Sequence, residues 1–170
     1  MPEAAVDLHR LIWSPDDFDG DTLTTSAFPK NDLMGGERYL SVSRTDILNA
    51  DAELRTASGQ GASGSANVVR DEAMSVILNS GDVCAAKDDK GVQPFDVTAE
   101  PKPNENEAHC GIRNSTETQS RGYVNQLRAI LVGLASQPQK LDDFLSIRHF
   151  ELISNDFLAL SSTVTIMAPQ

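Results

Sequence analysis

Residues 116–136 read TETQSRGYVNQLRAILVGLAS and contain the clearest element of this 170-residue chain. The apolar residues in it recur at helical spacing, at Tyr123, Leu127, Ile130, Leu131 and Leu134. Thr116 and Gln119 match the capping-box pattern that starts many helices. Because Pro138 ends the apolar pattern, we predict a helix over residues 117–136.

Short strands are predicted on both sides of this helix. Residues 38–43 alternate, with Tyr39, Ser41 and Ser43 on one side and apolar residues on the other. Turn residues at 79–82 and 88–91 favour an antiparallel meander of three strands. In chain order we predict strands at 6–13 and 38–43, a helix beginning at a Ser43–Asp46 capping signal, strands at 74–78, 83–86, 92–98 and 109–112, the main helix, a short helix at 140–147, and strands at 150–153 and 158–167.

Two segments are typical of loops. Residues 14–36 form a long connection that Phe18, Leu23 and Phe28 are expected to anchor, and the Gly/Ser-rich residues 56–67 are typical of a flexible loop. The chain length leaves room for one domain. We therefore predict a single α+β domain over residues 1–170, with a mostly antiparallel sheet and two or three helices packed on one face.

The chain carries a net charge of −11, and the charge is unevenly distributed. Residues 1–110 hold twenty acids against nine bases, whereas residues 111–170 hold five of each. Broad contact with nucleic acid needs Lys and Arg to displace counterions from phosphates, and anionic membranes attract the same side chains. The charge therefore predicts neither a nucleic-acid partner through broad electrostatic contact nor a membrane partner.

The location of the protein is predicted from what its segments lack. The N-terminal residues contain no apolar run of the length found in secretory signals, and the chain has no apolar run long enough to span a bilayer. Cys84 and Cys110 form no C-x-x-C pair, which favours buried thiols over a disulfide framework or a zinc site. We predict a cytoplasmic protein without a metal or cofactor.

One literal motif is present, the spacing Gly59-x-Gly61-x-x-Gly64 of dinucleotide-binding loops. That fingerprint works only where a strand precedes the glycines and a helix begins within them. Here a predicted helix precedes the glycines and serines surround them. We interpret the segment as a surface loop.

An acidic cluster surrounds Gly20 and consists of Asp16, Asp17, Asp19 and Asp21. The order of an EF-hand is not met, because the twelfth position counted from Asp17 is Phe28 rather than Glu. Solvent, a cation or a basic partner has to relieve the repulsion among four carboxylates. The cluster is the predicted contact for a basic protein partner.

The histidines are the side chains whose ordinary pKa lies closest to neutrality, at His9, His109 and His149. Because neighbours on a strand face opposite sides, His109 and Cys110 are not expected to act as base and nucleophile for each other. Cys84 could meet His9 or His109 only through the fold. The interpretation that assigns no catalytic function is that each histidine is a hydrogen-bonded structural residue.

His9 and Arg10 on the first predicted strand, followed by Ser41-Val42-Ser43 on the second, resemble the arrangement of the ADP-ribosyltransferases. In that family a basic residue and a serine-containing strand hold NAD, and a glutamate near the end of the chain orients the ribose. The resemblance covers only these two segments. The chain departs from it by lacking the Glu-x-Glu or Gln-x-Glu pair of many such enzymes, and Glu151 stands alone.

Two hypotheses for function follow. The sequence favours a non-enzymatic intracellular binding protein, of the inhibitor, immunity or accessory-subunit type, that docks its acidic face on a basic protein. The alternative is a small nucleotide- or NAD-acting enzyme of ADP-ribosyltransferase-like type. Its catalytic candidates are His9, Arg10, Ser41, Ser43 and His109.

Overall fold

Strands dominate the computed structural model, which describes residues 5–12, 17–47, 74–101, 106–116, 120–140 and 143. In chain order its elements are β1 (Asp7–Ile12), β2 (Phe18–Asp19), β3 (Thr22–Leu23), β4 (Leu40–Arg44), β5 (Met74–Asn79), α1 (Ser80–Ala85), β6 (Phe95–Ala99), β7 (His109–Asn114), α2 (Arg121–Leu134) and β8 (Gln139–Lys140). Two 3-10 turns, Thr25–Ala27 and Lys30–Leu33, follow β3.

Six strands form one antiparallel sheet in the order β6-β7-β4-β1-β5-β8, and β2 and β3 form a separate hairpin. Residues directly opposite each other on neighbouring strands share a face. Leu8 lies opposite Leu78, and Leu40 lies opposite Ile112, so apolar side chains collect on one side. The predicted α+β fold with a mostly antiparallel sheet is confirmed.

The hydrophobic core lies on that apolar face. Both described helices contribute buried residues to it, Val83 from α1 and Val124, Leu127 and Leu131 from α2. The long connection after β1 contributes the fully buried Phe28, as well as Leu23 and the partly buried Phe18. The predictions that the helices pack on one face and that these three residues anchor the connection are confirmed for the described residues.

The segment after β5 was predicted wrongly. The turn at 79–82 and the strand at 83–86 are in fact the helix α1, and Asn79 is its N-cap. The Asn79 side chain accepts hydrogen bonds from the backbone N–H groups of Gly81 and Asp82, at 3.0 and 3.3 Å. Asn is favoured both in turns and at N-caps. The helix buries Val83 in the core, which favours the N-cap. The predicted meander is wrong for the same reason, since β5 pairs with β1 and β8 rather than with β6.

Both predicted capping signals were also wrong. The main helix begins at Arg121, and its N-cap is Ser120, whose side chain accepts from the backbone N–H of Tyr123. Thr116 instead donates its hydroxyl to the Asn114 side chain at 2.7 Å. Ser43, the other predicted cap, lies within β4, because pairing with two strands outweighs a local cap signal.

Several predictions fall outside the described residues. These are the glycine-rich loop 56–67 with its Gly59-x-Gly61-x-x-Gly64 motif, the helix at 140–147 apart from Lys140 in β8 and residue 143, and the strands at 150–153 and 158–167. Within the described ranges, no helix has the length and apolar character needed to cross a membrane.

Candidate active site on the polar face of the sheet

The face of the sheet opposite the core carries a row of polar side chains. The strand register places His9 opposite Ser43, and Ser43 opposite His109, so the three residues lie side by side on β1, β4 and β7. Their exposed fractions are 1%, 2% and 3%. Burying a polar group costs free energy unless the group is hydrogen-bonded. The hydrogen-bond partners of these residues therefore determine the chemistry that is possible on this face.

Ser41 and His109 form the hydrogen bond with the clearest chemical meaning. The Ser41 Oγ lies 2.7 Å from the His109 Nε2, and the His109 Nδ1 lies 2.8 Å from the backbone oxygen of Glu100. A carbonyl oxygen only accepts, so Nδ1 carries a proton. In the neutral ring, Nε2 then holds a lone pair and accepts the Ser41 O–H. A serine nucleophile and its general base need this arrangement, with a third group orienting the base.

The residue that orients His109 is itself held in place. The Glu100 carboxylate forms an ion pair with Arg113 and accepts from the Thr98 hydroxyl at 3.2 Å. Arg113 also donates to the backbone oxygen of Glu37 at 3.0 Å. The hydrogen bond from Arg113 holds the pKa of Glu100 below its usual value, against the opposing effect of desolvation. Glu100 therefore presents its carbonyl to His109 from a braced position.

Tyr39 covers the other side of the imidazole. Its ring packs edge to face against that of His109, with ring centroids 5.7 Å apart. The Arg113 guanidinium lies over the Tyr39 ring, 5.1 Å from its centroid. Gly111 makes this packing possible, because a Cβ there would lie 2.7 Å from the Tyr39 Cγ. Tyr39, Glu100 and Ser41 thus contact His109 from three directions.

The remaining members of the row have partners of their own. The His9 Nε2 lies 2.8 Å from the Ser75 Oγ, and the Asn106 side chain donates to the Ser43 Oγ at 3.1 Å. Ser75 is 1% exposed, whereas Ser41 is exposed. Two Ser–His pairs therefore share the face, and Ser41 is the serine of the two that lies at the surface.

Arg10 lies apart from the other predicted catalytic residues. It follows His9 on β1 and lies opposite Val76 of the apolar face, and its guanidinium donates to the backbone oxygens of Ala27 and Ser41 at 2.9 and 2.8 Å. Desolvation lowers the pKa of Arg10 to about 10, and attraction to Asp32 and Asp17 opposes that shift. The fold brings His9, Ser41, Ser43 and His109 to one face of the sheet. Arg10 starts from the other face, where it donates hydrogen bonds to backbone oxygens.

The acidic cluster does not act as one group. Asp19 and Asp21 are exposed at the β2–β3 hairpin, which turns at Gly20 with a φ of 63°. Asp17 is half-buried, and its charge is felt by both Arg10 and Arg128. Asp16 lies outside the described residues. Among the residues that the structure describes, no group of three or more His, Cys, Asp or Glu could hold a metal ion.

Cys110 and His109 lie on opposite faces of β7, as predicted. Cys110 is buried in the core, and its thiol donates to the Ala108 backbone oxygen at 3.6 Å, while His109 faces Ser41. Cys84 is an exposed free thiol on α1.

Sequence reasoning missed Glu100, Arg113, Asn106 and Ser75 as parts of this face. Ser75 was in principle detectable, because it alternates with the apolar Met74, Val76 and Leu78. The part played by Glu100 depends on its backbone carbonyl, for which no residue pattern exists. The partner of His109 likewise depends on which strands are neighbours.

No family model, curated protein or solved structure matches the chain.

Proposed function

We propose that the protein is a small serine hydrolase or acyltransferase, in which Ser41 is the nucleophile and His109 is the general base. The observation that carries the proposal is the 2.7 Å bond between the Ser41 Oγ and a His109 Nε2 that the Glu100 carbonyl leaves unprotonated in the neutral ring. An exposed serine beside a buried imidazole combines a position at the surface with a fixed base.

The reaction of an ester substrate follows from these positions. The Ser41 Oγ attacks the carbonyl carbon while the His109 Nε2 takes the hydroxyl proton, and the same proton then passes to the departing alcohol as the C–O bond of the ester breaks. Water then attacks the acyl carbon while the His109 Nε2 takes its proton, and that proton passes to the Ser41 Oγ as the bond between the acyl carbon and Oγ breaks. The acid leaves and Ser41 is regenerated. An acyl acceptor in place of water makes the same step a transfer.

The imidazolium that forms during each step is stabilised from its Nδ1 side. The Glu100 carbonyl accepts the Nδ1 proton throughout, and the negative Glu100 side chain attracts the charge on His109. Arg113 acts through Glu100, so it is a positioning residue that touches no reacting atom. Its ion pair is partly exposed, and its effect on rate should be smaller than that of His109.

The NAD-acting form of the enzyme hypothesis has less support. It places the Arg10 side chain beside the serine hydroxyls as an anchor for an anionic cofactor. Arg10 instead reaches Ser41 through a backbone oxygen and stacks its guanidinium over Phe28 at 5.8 Å. A cation engaged in this way is poorly placed to bind pyrophosphate on the polar face.

A serine-directed phosphonate probe tests the proposal. The wild-type protein should form a covalent adduct on Ser41, located by peptide mass spectrometry, because the Ser41 hydroxyl is activated. The His109→Gln protein should label far more slowly, and the Ser26→Ala protein, which lacks an exposed serine of a 3-10 turn, should label like wild type. Absence of an adduct on Ser41 in a folded protein would rule out the nucleophile.

Docking of a basic partner is a second candidate, favoured by the exposed pair Asp19 and Asp21 at the β2–β3 hairpin. Reversing both to Lys should weaken capture of a basic protein from cell extract, and wild-type capture should fade as salt screens the contact. Asp96→Lys, at another exposed position, serves as the matched control. Equal capture by the wild-type and hairpin variants would contradict docking through this cluster.

A further inference from the structure

A cavity of about 310 Å³ lies between α1 and the strands β1, β6 and β7. It opens on the side of the sheet opposite Ser41, because its lining includes Leu8 and Cys110 of the core face. Val6, Val97 and Ala99 add further apolar lining. A volume of this size falls at the lower end of the range of small-molecule sites, about 300–1,000 Å³.

Small side chains keep this space open. At its edge Gly81 of α1 packs tightly on Ala5, since a Cβ on the glycine would lie 2.9 Å from the Ala5 Cβ. Ala99 and Cys84 line other parts of the wall, where longer side chains would fill the volume. The rest of the core is packed with Leu, Val, Ile and Phe, so this corner differs from the interior around it.

Charge at the cavity points to the kind of molecule that fits. Among the described residues that line it, Arg44 is the one with a charged side chain and none is an acid, in a chain whose net charge is −11. The Arg44 guanidinium is bound by Asp46, whose Oδ2 lies 2.7 Å from the Nη2. Both side chains are substantially exposed, at 25% and 45%, and exposed pairs of this kind are weak.

We propose that the cavity binds a medium-chain aliphatic carboxylate. The hydrocarbon chain lies against Val6, Leu8, Val97 and Ala99, and the carboxylate takes the place of Asp46 on the Arg44 guanidinium. A guanidinium matches a carboxylate in geometry as well as in charge. The site is independent of the Ser41 chemistry, since it lies on the other face of the sheet.

Titration calorimetry with decanoate and decanol separates the two parts of this site. Decanoate should bind about tenfold more tightly than decanol, because a charge-assisted hydrogen bond is lost with the alcohol. Affinity should also rise about fourfold for each methylene from hexanoate to decanoate. Equal binding of decanoate and decanol to the wild-type protein would overturn the carboxylate site, as would no binding of either.

Two charge variants with opposite expected effects sharpen the test. Arg44→Gln should reduce decanoate affinity about tenfold and leave decanol unchanged, whereas Asp46→Asn should raise decanoate affinity about threefold by removing one competing carboxylate. Decanol binding reports in each case that the cavity is intact. A loss of decanoate affinity in Asp46→Asn would contradict the proposed exchange of carboxylates.

A filling variant tests the position of the hydrocarbon chain. Ala99→Leu should weaken decanoate and decanol alike, and Ala85→Leu, on α1 but outside the lining, should change neither. Decanoate should also slow the reaction of the exposed Cys84 thiol with a thiol reagent, since Cys84 lines the cavity. Undiminished binding by Ala99→Leu would place the ligand elsewhere.

Discussion

The His109→Gln protein should hydrolyse a p-nitrophenyl ester with kcat/KM lowered by about 10³-fold, because removal of a positioned general base costs about 10²–10⁴ in rate. Glutamine keeps a polar side chain near Ser41 but cannot take its proton. Ser41→Ala should lose activity to a similar extent. The double variant should be no worse than either single variant, since the two residues act as one unit.

The second Ser–His pair of the same face supplies a matched control. Ser75 contacts His9 at 2.8 Å much as Ser41 contacts His109, but it is 1% exposed and beyond the reach of a substrate. Ser75→Ala should therefore keep kcat/KM within about threefold of wild type once the folded fraction is equalised by its melting curve. Equal losses in the Ser75 and Ser41 variants would point to damage to the sheet rather than loss of a nucleophile.

Replacement of Arg10 should have the largest effect on stability. Arg10→Met keeps an unbranched side chain but leaves the backbone oxygens of Ala27 and Ser41 without their donor, and it removes the cation that attracts Asp32. Arg10 is half-buried, and loss of a hydrogen bond made by a charged group costs about 1.5–3 kcal/mol. Urea unfolding should show the midpoint falling by the corresponding amount while the slope stays unchanged.

The pairing of Arg10 with Asp32 allows a check by partial rescue. Desolvation already raises the pKa of Asp32, and Arg10 opposes that rise. Without Arg10, the negative charge of Asp32 destabilises the folded protein more. The double variant Arg10→Met with Asp32→Asn should therefore be more stable than Arg10→Met alone. Lys87→Ala, at an exposed position away from Asp32, should change the free energy of unfolding by no more than about 0.5 kcal/mol.

Much of the sheet was predictable from alternation of side chains. The alternation in residues 38–43 predicts which side chains face the core, and the apolar side chains of β4 are buried as predicted. A strand buried on one face has a period of two in its sequence. Helix starts were less predictable. Asn79 and Ser120 act as caps where the sequence favoured a turn and an earlier start, since several polar residues compete for the same local hydrogen bonds.

The site was predictable only as a set of candidates. Ser41 and His109 were both singled out, but their contact depends on β4 and β7 being neighbours although 64 residues of the chain separate Leu40–Arg44 from His109. The contribution of Glu100 is invisible in principle, because every residue type presents the same carbonyl. Sequence reasoning therefore finds reactive side chains more readily than the backbone groups that orient them.

Strand β7 serves two neighbourhoods at once, since His109 and Gly111 face the polar side while Cys110 and Ile112 face the core. Odd-numbered and even-numbered positions of one short segment are thus exposed to separate selective pressures. Randomising Cys110 and Ile112 together would vary the interior while the groups around Ser41 keep their identities. The alternation lets protein engineers vary core packing and the polar face almost independently within six consecutive residues.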